Sequence, residues 1–194
     1  MSQARVVVVS GPSGAGKTSV MQRVYRCCGV PLVRSVSATT RPPRPGEVDG
    51  VDYYFLSAEA FASRRQRGEF LECFEVFTQG HWYGTLRSAV ATGLNAGNWV
   101  VLEIDVQGAA AVMQQYADAV TIFLQPGSLG ELERRLRGRG TESEEAIRRR
   151  LATAQRELAL AERYRYRVIN DDMDQAVREI SDILTREWEK SRDD

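Results

Sequence analysis

The sequence has few of the residues that build metal centres or disulfide frameworks. Its 194 residues include three cysteines and one histidine. Cys27, Cys28 and Cys73 are an odd number without the spacing of zinc ligands, and His81 stands alone. A reducing compartment fits this composition best. We expect the cysteines to be small buried residues without catalytic duty, and His81 to lie in a turn or at the surface.

An excess of one charge sign is also missing. The chain has 26 basic and 26 acidic side chains and a formal net charge of zero, so nothing indicates a general attraction to nucleic acid or to an anionic membrane. No segment approaches the roughly 20 apolar residues of a membrane helix, and the N-terminus does not resemble a signal peptide. We therefore expect a soluble cytoplasmic protein with no nucleic-acid or membrane partner, in which basic residues act locally.

Apolar runs of strand length alternate with helical patterns along much of the chain. The runs lie at residues 5–10, 99–105, 119–125 and 166–170 and are rich in Val, Ile and Leu. Nearly continuous apolar runs suit strands that are covered on both faces, and intervening helices suit right-handed crossovers. With 43% hydrophobic residues, the sequence predicts one compact α/β unit built on a doubly wound parallel sheet.

Two regions interrupt this alternation. Residues 35–93 begin with the Pro/Gly-rich stretch TTRPPRPGEVDG and continue with short aromatic segments around a short helix, which predicts a small mixed insertion. Residues 141–162 have steps of four and three between apolar positions, which predict a helix with one buried face. That face consists of Ile147, Leu151, Ala154, Leu158 and Ala161. A last helix at about 172–189 is expected to bury Val177, Ile180, Leu184 and Trp188.

The stretch SGPSGAGKT, from Ser10 to Thr18, matches the pattern G-x-x-x-x-G-K-[ST] between an apolar strand and a helix. Its glycines allow several backbone N–H groups to converge, and the helix adds its positive N-terminal end, so the stretch predicts a phosphate-binding loop. Lys17 would reach the β- and γ-phosphates of a nucleoside triphosphate, and the Thr18 hydroxyl would be a ligand of Mg²⁺. The alternative is a glycine-rich turn that matches by accident. The loop leaves open whether the protein is a GTPase, a motor ATPase, a metabolite kinase or a nucleotide kinase.

A second anion site is predicted in the insertion. Arg41 and Arg44 stand three residues apart on a segment stiffened by prolines, and rigid guanidinium groups bind phosphate through paired hydrogen bonds. Hydroxyls of Ser37, Tyr53 and Tyr83 could complete the site. The alternative is a solvated turn with two surface arginines.

Glu72 is the candidate that distinguishes one base from another. It lies in EFLECFEVF, where Phe70, Leu71, Phe74, Val76 and Phe77 are expected to be largely buried. A carboxylate in such surroundings needs hydrogen-bond donors. Guanine offers two adjacent donors, N1–H and the N2 amine, whereas adenine does not, and an unpaired buried carboxylate would disfavour the wrong base strongly. The alternative is an exposed glutamate beside a strand.

Seven segments together resemble guanylate kinases of the bacterial type, in order and over nearly the whole chain. They read SGPSGAGKT, SVSATTRPPRPGEVDGVDYYF, EFLE, YGT, LEIDVQGA, RLRGRGTESEEAIRRRL and VINDD. The resemblance implies transfer of the γ-phosphoryl group of ATP to GMP, and to dGMP, with Mg²⁺ as cofactor, by a monomer or homodimer. It also implies a P-loop NTPase-type core at 1–34, 94–126 and 161–194, a GMP-binding insertion at 35–93 and a helical lid at 127–160.

The resemblance also assigns roles to single residues. ATP would be bound by the loop and one distant side chain, namely Gly11, Pro12, Ser13, Gly14, Ala15, Gly16, Lys17, Thr18 and Asn170, the last lying by the ATP base. The GMP phosphate would contact Ser37, Arg41, Arg44, Tyr53 and Tyr83. The guanine would contact Glu72, Thr85 and Asp105. The catalytic residues would be Lys17, Arg41, Arg139 and Arg150, with Thr18 on the metal.

Three further points qualify this picture. The stretch between Glu72 and Tyr83 is slightly longer than is usual in the family, Trp82 stands where tyrosine is common, and Glu103 replaces an aspartate that some members have.

For Arg148 and Arg149 we favour a solvated helix face with pairs to Glu144 and Glu145. Three other functions remain: a noncatalytic scaffold with this fold, a kinase for another phosphorylated acceptor such as a ribose bisphosphate, and a regulatory GTPase.

Overall fold

The structure is a computed structural model that describes residues 3–75, 80–138 and 143–193. Within these ranges the elements, in chain order, are β1 (Val6–Ser10), α1 (Lys17–Cys27), β2 (Leu32–Arg34), β3 (Ala38–Thr39), β4 (Tyr54–Phe55), α2 (Ala58–Gln66), β5 (Phe70–Glu75), β6 (Trp82–Leu86), α3 (Arg87–Asn95), β7 (Trp99–Glu103), α4 (Val106–Gln115), β8 (Val120–Gln125), α5 (Leu129–Gly138), α6 (Glu144–Leu158), a 3₁₀ turn (Ala161–Arg163), β9 (Tyr166–Ile169) and α7 (Met173–Asp193).

The core is a parallel sheet with strand order β2-β7-β1-β8-β9. The central strand β1 is a run of four valines that are buried on both faces, at most 2% exposed. Such a strand needs a layer on each side, and the sheet has one. Helices α1 and α7 pack on one face, and α3 and α4 pack on the other. The predicted α/β class with a parallel sheet is confirmed.

The edge strand β2 was not predicted from the sequence. It has three residues, Leu32 to Arg34, follows Pro31, and leaves Val33 exposed. A strand of three residues with one exposed side chain is too short to show the pattern of apolar residues by which strands are predicted. It pairs with β7 in a parallel register, with Arg34 opposite Val101, and it carries the chain directly to the second sheet.

The second sheet has strand order β4-β3-β6-β5. β5 and β6 run antiparallel with a register shift between Phe70 and Glu72, and α2 covers them through Phe61, which stacks on Phe70 at 4.4 Å between ring centroids. Phe70 and Leu71 are buried as expected, Phe70 beneath α2 and Leu71 against α4, whereas Phe74 is half-buried. Val76 and Phe77 lie outside the described residues.

Helices α5 and α6 form a separate small cluster. Leu132 and Leu136 of α5 pack against Ile147, Leu151 and Ala154 of α6, which are three of the five positions of the predicted apolar face. The other two, Leu158 and Ala161, pack against the core on the side of α3 and α4, and Ala161 lies in the 3₁₀ turn after the helix. The helix begins at Glu144, with Ser143 as its N-cap, and ends at Leu158. Residues 141 and 142, with which the predicted helix began, lie outside the described residues.

The cysteines do not all match the expectation of burial. Cys27 is exposed on α1, and Cys28 and Cys73 are half-buried. Cys27 is the last residue of α1 and is exposed there, whereas the next residue, Cys28, packs against the core. In the described part of the chain, no helix is both long enough and apolar enough to cross a membrane.

The burial of α7 generates a stability prediction. Leu184→Ala removes a side chain that is 0% exposed in the cluster beneath α1 and α7, so it should lower the free energy of unfolding by about 2–5 kcal/mol. Met173→Ala, on the same helix but 39% exposed, is the control and should change it by less than about 0.5 kcal/mol. Chemical denaturation measures both; equal effects would contradict this packing of α7.

Candidate active site

The loop after β1 has the geometry of a phosphate cradle. Gly11 and Gly16 have φ angles of 140° and 92°, which side-chain-bearing residues rarely adopt. Gly16 is the N-cap of α1, no side chain caps the helix, and its first turn holds no acidic residue. The N-terminal N–H groups of α1 and its positive dipole end are therefore available to an anion. Lys17 Nζ lies back over the loop and donates to the carbonyl oxygens of Gly11 and Pro12, at 2.6 and 3.2 Å.

The side chain of Asn170 binds the backbone of this loop. Its side chain is 2% exposed, and its Nδ2 donates to the Ala15 carbonyl oxygen at 2.7 Å. Ala15 and Pro12 are themselves buried, and Ala15 N donates to the Pro12 carbonyl oxygen at 3.1 Å. In this arrangement these residues shape the loop. The location of Asn170 by the ATP base stays a prediction.

A single cleft contains most of the predicted residues. From the loop and α1 it is lined by Gly11, Ser13, Gly14, Gly16, Lys17 and Thr18. From the second sheet and its turns it is lined by Ser37, Arg41, Arg44, Tyr53, Glu72 and Tyr83. Asp105 and Arg150 complete it from α4 and α6. Arg139 lies outside the described residues. The carboxyl ends of β1 and β7 form the floor, which is where open parallel sheets bind ligands.

Arg41 is held in a fixed position by its neighbours. Its Nε donates to the Tyr83 hydroxyl at 3.1 Å, and its two terminal nitrogens donate to both oxygens of Glu47, at 2.9 and 2.8 Å. Glu47 Oε2 also accepts from the backbone N–H of Arg44 at 2.7 Å. The guanidinium lies 5.5 Å from the centroid of the Tyr53 ring. A cationic group is thus oriented toward the cleft before any ligand arrives.

Glu72 lies half-buried in the wall of the cleft that the second sheet forms. Its Oε1 accepts a hydrogen bond from the Thr85 hydroxyl at 2.6 Å, and Thr85 is fully buried behind it. Its Oε2 faces Gly108, where a Cβ atom would approach to 2.8 Å. Burial, with the Asp105 carboxylate nearby, raises the pKa of Glu72 to about 7. One oxygen of the carboxylate is thus oriented by Thr85, which makes that residue a support of Glu72.

Asp105 both caps α4 and lines the cleft. Its Oδ1 caps α4 by accepting from the backbone N–H groups of Gln107 and Gly108, at 2.8 and 2.9 Å. The same carboxylate lines the cleft near Glu72. The cap fixes the rotamer of Asp105, so its remaining oxygen has a defined direction.

The helix α6 borders the cleft on the far side from the second sheet. Arg150 and Glu157 line the cleft, whereas Arg148 and Arg149 are exposed. Arg149 pairs with Glu145, as expected for a solvated face, but Glu144 pairs with Arg137 of α5 rather than with an arginine of its own helix. This pair crosses between the two helices near the segment that contains Arg139.

Six cleft residues were not predicted as part of the site: Ser19, His81, Gly84, Glu103, Ile104 and Glu157. Glu157 follows Arg150 by two turns of the predicted helix and therefore lies on the same face, so it could have been recognised as a site residue from this spacing. Burial raises its pKa to about 7 despite the nearby Lys17. Glu47, which orients Arg41, was also missed, because its contact runs across a proline turn. His81, expected in a turn or at the surface, is half-buried in the cleft wall.

The fold and cleft define a phosphotransferase of the P-loop kinase class, with a phosphate loop and a second cationic site in one cleft. Residues 3–187 match the family described as guanylate kinase. The guanylate kinase of Rhodopirellula baltica is 58% identical over 93% of this chain and 87% of that protein, and that of Desulfitobacterium hafniense is 48% identical over 94% and 90%.

A solved structure agrees with these relatives. The crystal structure of guanylate kinase from Anaplasma phagocytophilum has a TM-score of 0.80 and 33% identity, and the match covers 97% of this chain and 88% of that one. The chain belongs to the guanylate kinase family. Membership indicates ATP-dependent phosphorylation of GMP to GDP.

The burial of Glu72 generates a prediction about stability and pH. The folded carboxyl group, with a pKa of about 7, keeps its proton between about pH 4.3 and 7, where the unfolded group loses it. Wild-type stability should therefore fall as the pH rises through this window. Glu72→Gln still accepts from Thr85 but cannot ionise, so it should gain on wild type by on the order of 1–3 kcal/mol between pH 4.5 and 7.5.

Chemical denaturation across that pH range measures the difference between the two proteins. Taking the difference cancels the contribution of Glu157, which is present in both. A difference that does not change with pH would contradict the burial of Glu72.

Proposed function

We propose that this protein transfers the γ-phosphoryl group of ATP to GMP, and to dGMP, and releases ADP and GDP or dGDP. The observation that carries the proposal is the single cleft that joins the loop at Lys17, the oriented guanidinium of Arg41 and the half-buried carboxyl group of Glu72. These three features correspond in order to a triphosphate, a monophosphate and a base. The balanced charge of the chain supports small-molecule substrates rather than nucleic acid.

The donor would lie along the loop. Backbone N–H groups of the loop and the start of α1 would bind the phosphates of ATP, and Lys17 would turn from the loop carbonyls to the β- and γ-phosphates. Thr18 is exposed in the first turn of α1, so its hydroxyl is open to Mg²⁺. The described residues contain no cluster of His, Cys, Asp or Glu that could hold a metal, which fits an ion bound chiefly through phosphate and water. When bound, Mg²⁺ supplies charge neutralisation on the phosphates.

The acceptor phosphate would lie at Arg41, with Ser37, Arg44, Tyr53 and Tyr83 around it. The phosphate dianion would compete with Glu47 for the terminal nitrogens of Arg41. The Nε contact to Tyr83 can persist during this exchange because it uses a different nitrogen. Arg41 is therefore preorganised, which lowers the entropic cost of binding the phosphate.

The base would be read by Glu72. Its ionised carboxylate can accept from N1–H and the N2 amine of guanine, while the Thr85 hydroxyl keeps one oxygen in place. Asp105 would meet the base from the capped start of α4. Adenine offers an acceptor where guanine has N1–H, so a desolvated Glu72 carboxylate would be left unpaired.

The reaction needs no general base, because the phosphate of GMP has a second pKa near 6 and is mostly a dianion at neutral pH. One of its oxygens attacks the γ-phosphorus, that P–O bond forms, and the bond to the β,γ-bridging oxygen breaks as ADP leaves. The difficulty is repulsion between two anions. Lys17, Arg41 and Arg150, with Arg139, would neutralise it, and closure of residues 127–160 and 35–93 over the cleft would exclude water.

Three other functions are less well supported. A scaffold would not require an intact phosphate loop, and here Gly16, Lys17 and Thr18 are present and line the cleft. A ribose bisphosphate has no base to be read by a carboxyl group that Thr85 orients in the cleft. A regulatory GTPase would need an N-K-x-D guanine-reading motif for its triphosphate, and the sequence has none.

A panel of acceptors tests the proposal. ADP release from ATP and Mg²⁺ is followed in a coupled assay with GMP, dGMP, AMP, CMP or UMP. We expect turnover with GMP and dGMP and at least about 10³-fold lower kcat/KM with AMP, because the wrong base leaves Glu72 unpaired. Equal activity with AMP and GMP would contradict base reading by Glu72.

Two substitutions test the ATP side and the GMP side of the site separately. Lys17→Ala should abolish transfer, because it removes the cation on the transferring group. Glu72→Gln should raise KM for GMP by about 10- to 100-fold with little change in KM for ATP, because it loses a charge-assisted hydrogen bond. Steady-state kinetics measure both, with Arg186→Lys on the outer part of α7 as control. Wild-type turnover of Lys17→Ala would contradict the assignment of the loop.

A further inference from the structure

Arg34 lies at the point where the chain leaves the core sheet for the second sheet. It is the last residue of β2, and the next residue, Ser35, still bonds to the core through its N–H and the Val101 carbonyl oxygen at 2.9 Å. Three residues further on, β3 opens the second sheet. Neither the sequence motifs nor the proposed reaction uses Arg34.

The guanidinium of Arg34 contacts both units. On the core side, its Nε lies 3.3 Å from Oε1 of Glu103 at the end of β7. On the other side, its two terminal nitrogens donate to the backbone carbonyl oxygens of Val51 and Asp52, at 3.1 and 3.2 Å. One side chain thus connects the floor of the cleft to the turn before Tyr53.

The contact between Arg34 and Glu103 lies in a largely buried environment. The Glu103 side chain is 7% exposed, and the Tyr25 hydroxyl donates to its Oε1 at 3.3 Å. Within the described residues, Glu103 Oε2 has no hydrogen-bond partner, and Arg34 Nε is close to the carboxylate without a well-aligned hydrogen bond. Arg34 is therefore the main compensation for a buried negative charge, and it cannot leave without a large cost. Its aligned hydrogen bonds are directed to the turn instead.

The turn that Arg34 binds is held together by its own hydrogen bonds. Val51 and Asp52 donate their N–H groups to the Val48 carbonyl oxygen, at 3.2 and 2.9 Å, and the Asp52 carboxylate accepts from Val48 N at 2.8 Å. Gly50 N donates to the Tyr53 carbonyl oxygen at 2.8 Å. Fixing the carbonyls at 51 and 52 therefore fixes the backbone of Tyr53.

Tyr53 connects the turn to the candidate phosphate site. Its ring makes an edge contact with Tyr83, at 5.8 Å between centroids, and lies 5.5 Å from the guanidinium carbon of Arg41. Tyr83 in turn accepts from Arg41 Nε. A displacement of the turn would shift the ring and disturb both of its partners.

We propose that Arg34 is a positioning residue for the acceptor: anchored on Glu103, it holds the turn at Val51 and Asp52 so that Tyr53 and Arg41 face the phosphate loop at the correct distance. This inference rests on the proposed function of the cleft and names a residue that acts on it without touching the substrate. We expect its effect on acceptor binding, because the turn that it binds leads to Tyr53 on one side and to Glu47, the partner of Arg41, on the other.

Arg34→Lys is the test. Lysine keeps a cation beside Glu103, but a single ammonium group cannot reproduce the planar fork that meets two carbonyl oxygens. We expect KM for GMP to rise about tenfold from the loss of these hydrogen bonds, with KM for ATP and the melting temperature close to wild type. The matched control is Arg186→Lys, because Arg186 also donates to a carbonyl oxygen, that of Asp182 at 3.3 Å, but on the exposed side of α7. It should change neither KM.

A double-mutant cycle with Tyr53→Ala tests the route. If Arg34 acts through the Tyr53 ring, Arg34→Lys should add less than about twofold to KM for GMP once the ring is gone, whereas independent effects would multiply. Unchanged KM for GMP in Arg34→Lys, equal rises in KM for GMP and ATP, or full multiplication in the cycle would each overturn the inference. Failure of the proposed function is distinguishable, because the wild-type protein would then not use GMP.

Discussion

The phosphate-binding loop is enclosed so closely that its glycines have no room for side chains. A Cβ atom on Gly11 would overlap the carbonyl oxygen of Leu124 in β8, and one on Gly16 would lie 2.5 Å from Nδ2 of Asn170. A Cβ atom on Gly14 would lie 2.9 Å from Cδ1 of Leu132 in α5. The shape of the loop therefore depends on β8, on Asn170 after β9 and on α5, which surround it. Its shape is available to an anion without reorganisation, which is what favours tight binding.

Acidic side chains organise the basic ones around this loop. Glu47 orients Arg41 with two hydrogen bonds, and Glu103 anchors Arg34 at the junction of the two sheets. The cleft thus holds its basic side chains in fixed positions while acidic and basic side chains balance in its lining and in the chain as a whole. Each pair lies where a long, flexible arginine would otherwise have many rotamers, so the carboxylates contribute by restricting those rotamers. Glu72 differs, because its partner is the neutral Thr85 and its charge is left for a ligand.

The parts of the site that are continuous in sequence were predictable, and the parts made by long-range contacts were not. The loop from Gly11 to Thr18 is visible because its backbone shape depends on adjacent residues, and β1, β7 and β8 are visible because buried parallel strands are almost wholly apolar. The three-residue strand β2 has no such pattern. Glu47, Glu103 and Arg34 could not be assigned, because their roles depend on distances across a turn or between sheets. Asn170 was noticed through its motif, but its contact with Ala15 needs the fold.

The central claim is that two nucleotides meet in one cleft, with the donor on the loop and the acceptor between Arg41 and Glu72. A crystal structure of the protein with GMP and a non-hydrolysable ATP analogue tests this most directly. The account predicts that the GMP phosphate lies on Arg41 and Tyr83, that guanine N1–H and its N2 amine donate to Glu72, and that the γ-phosphate of the analogue points at the GMP phosphate from the loop. Guanine bound away from Glu72, or the two phosphates in separate clefts, would contradict it.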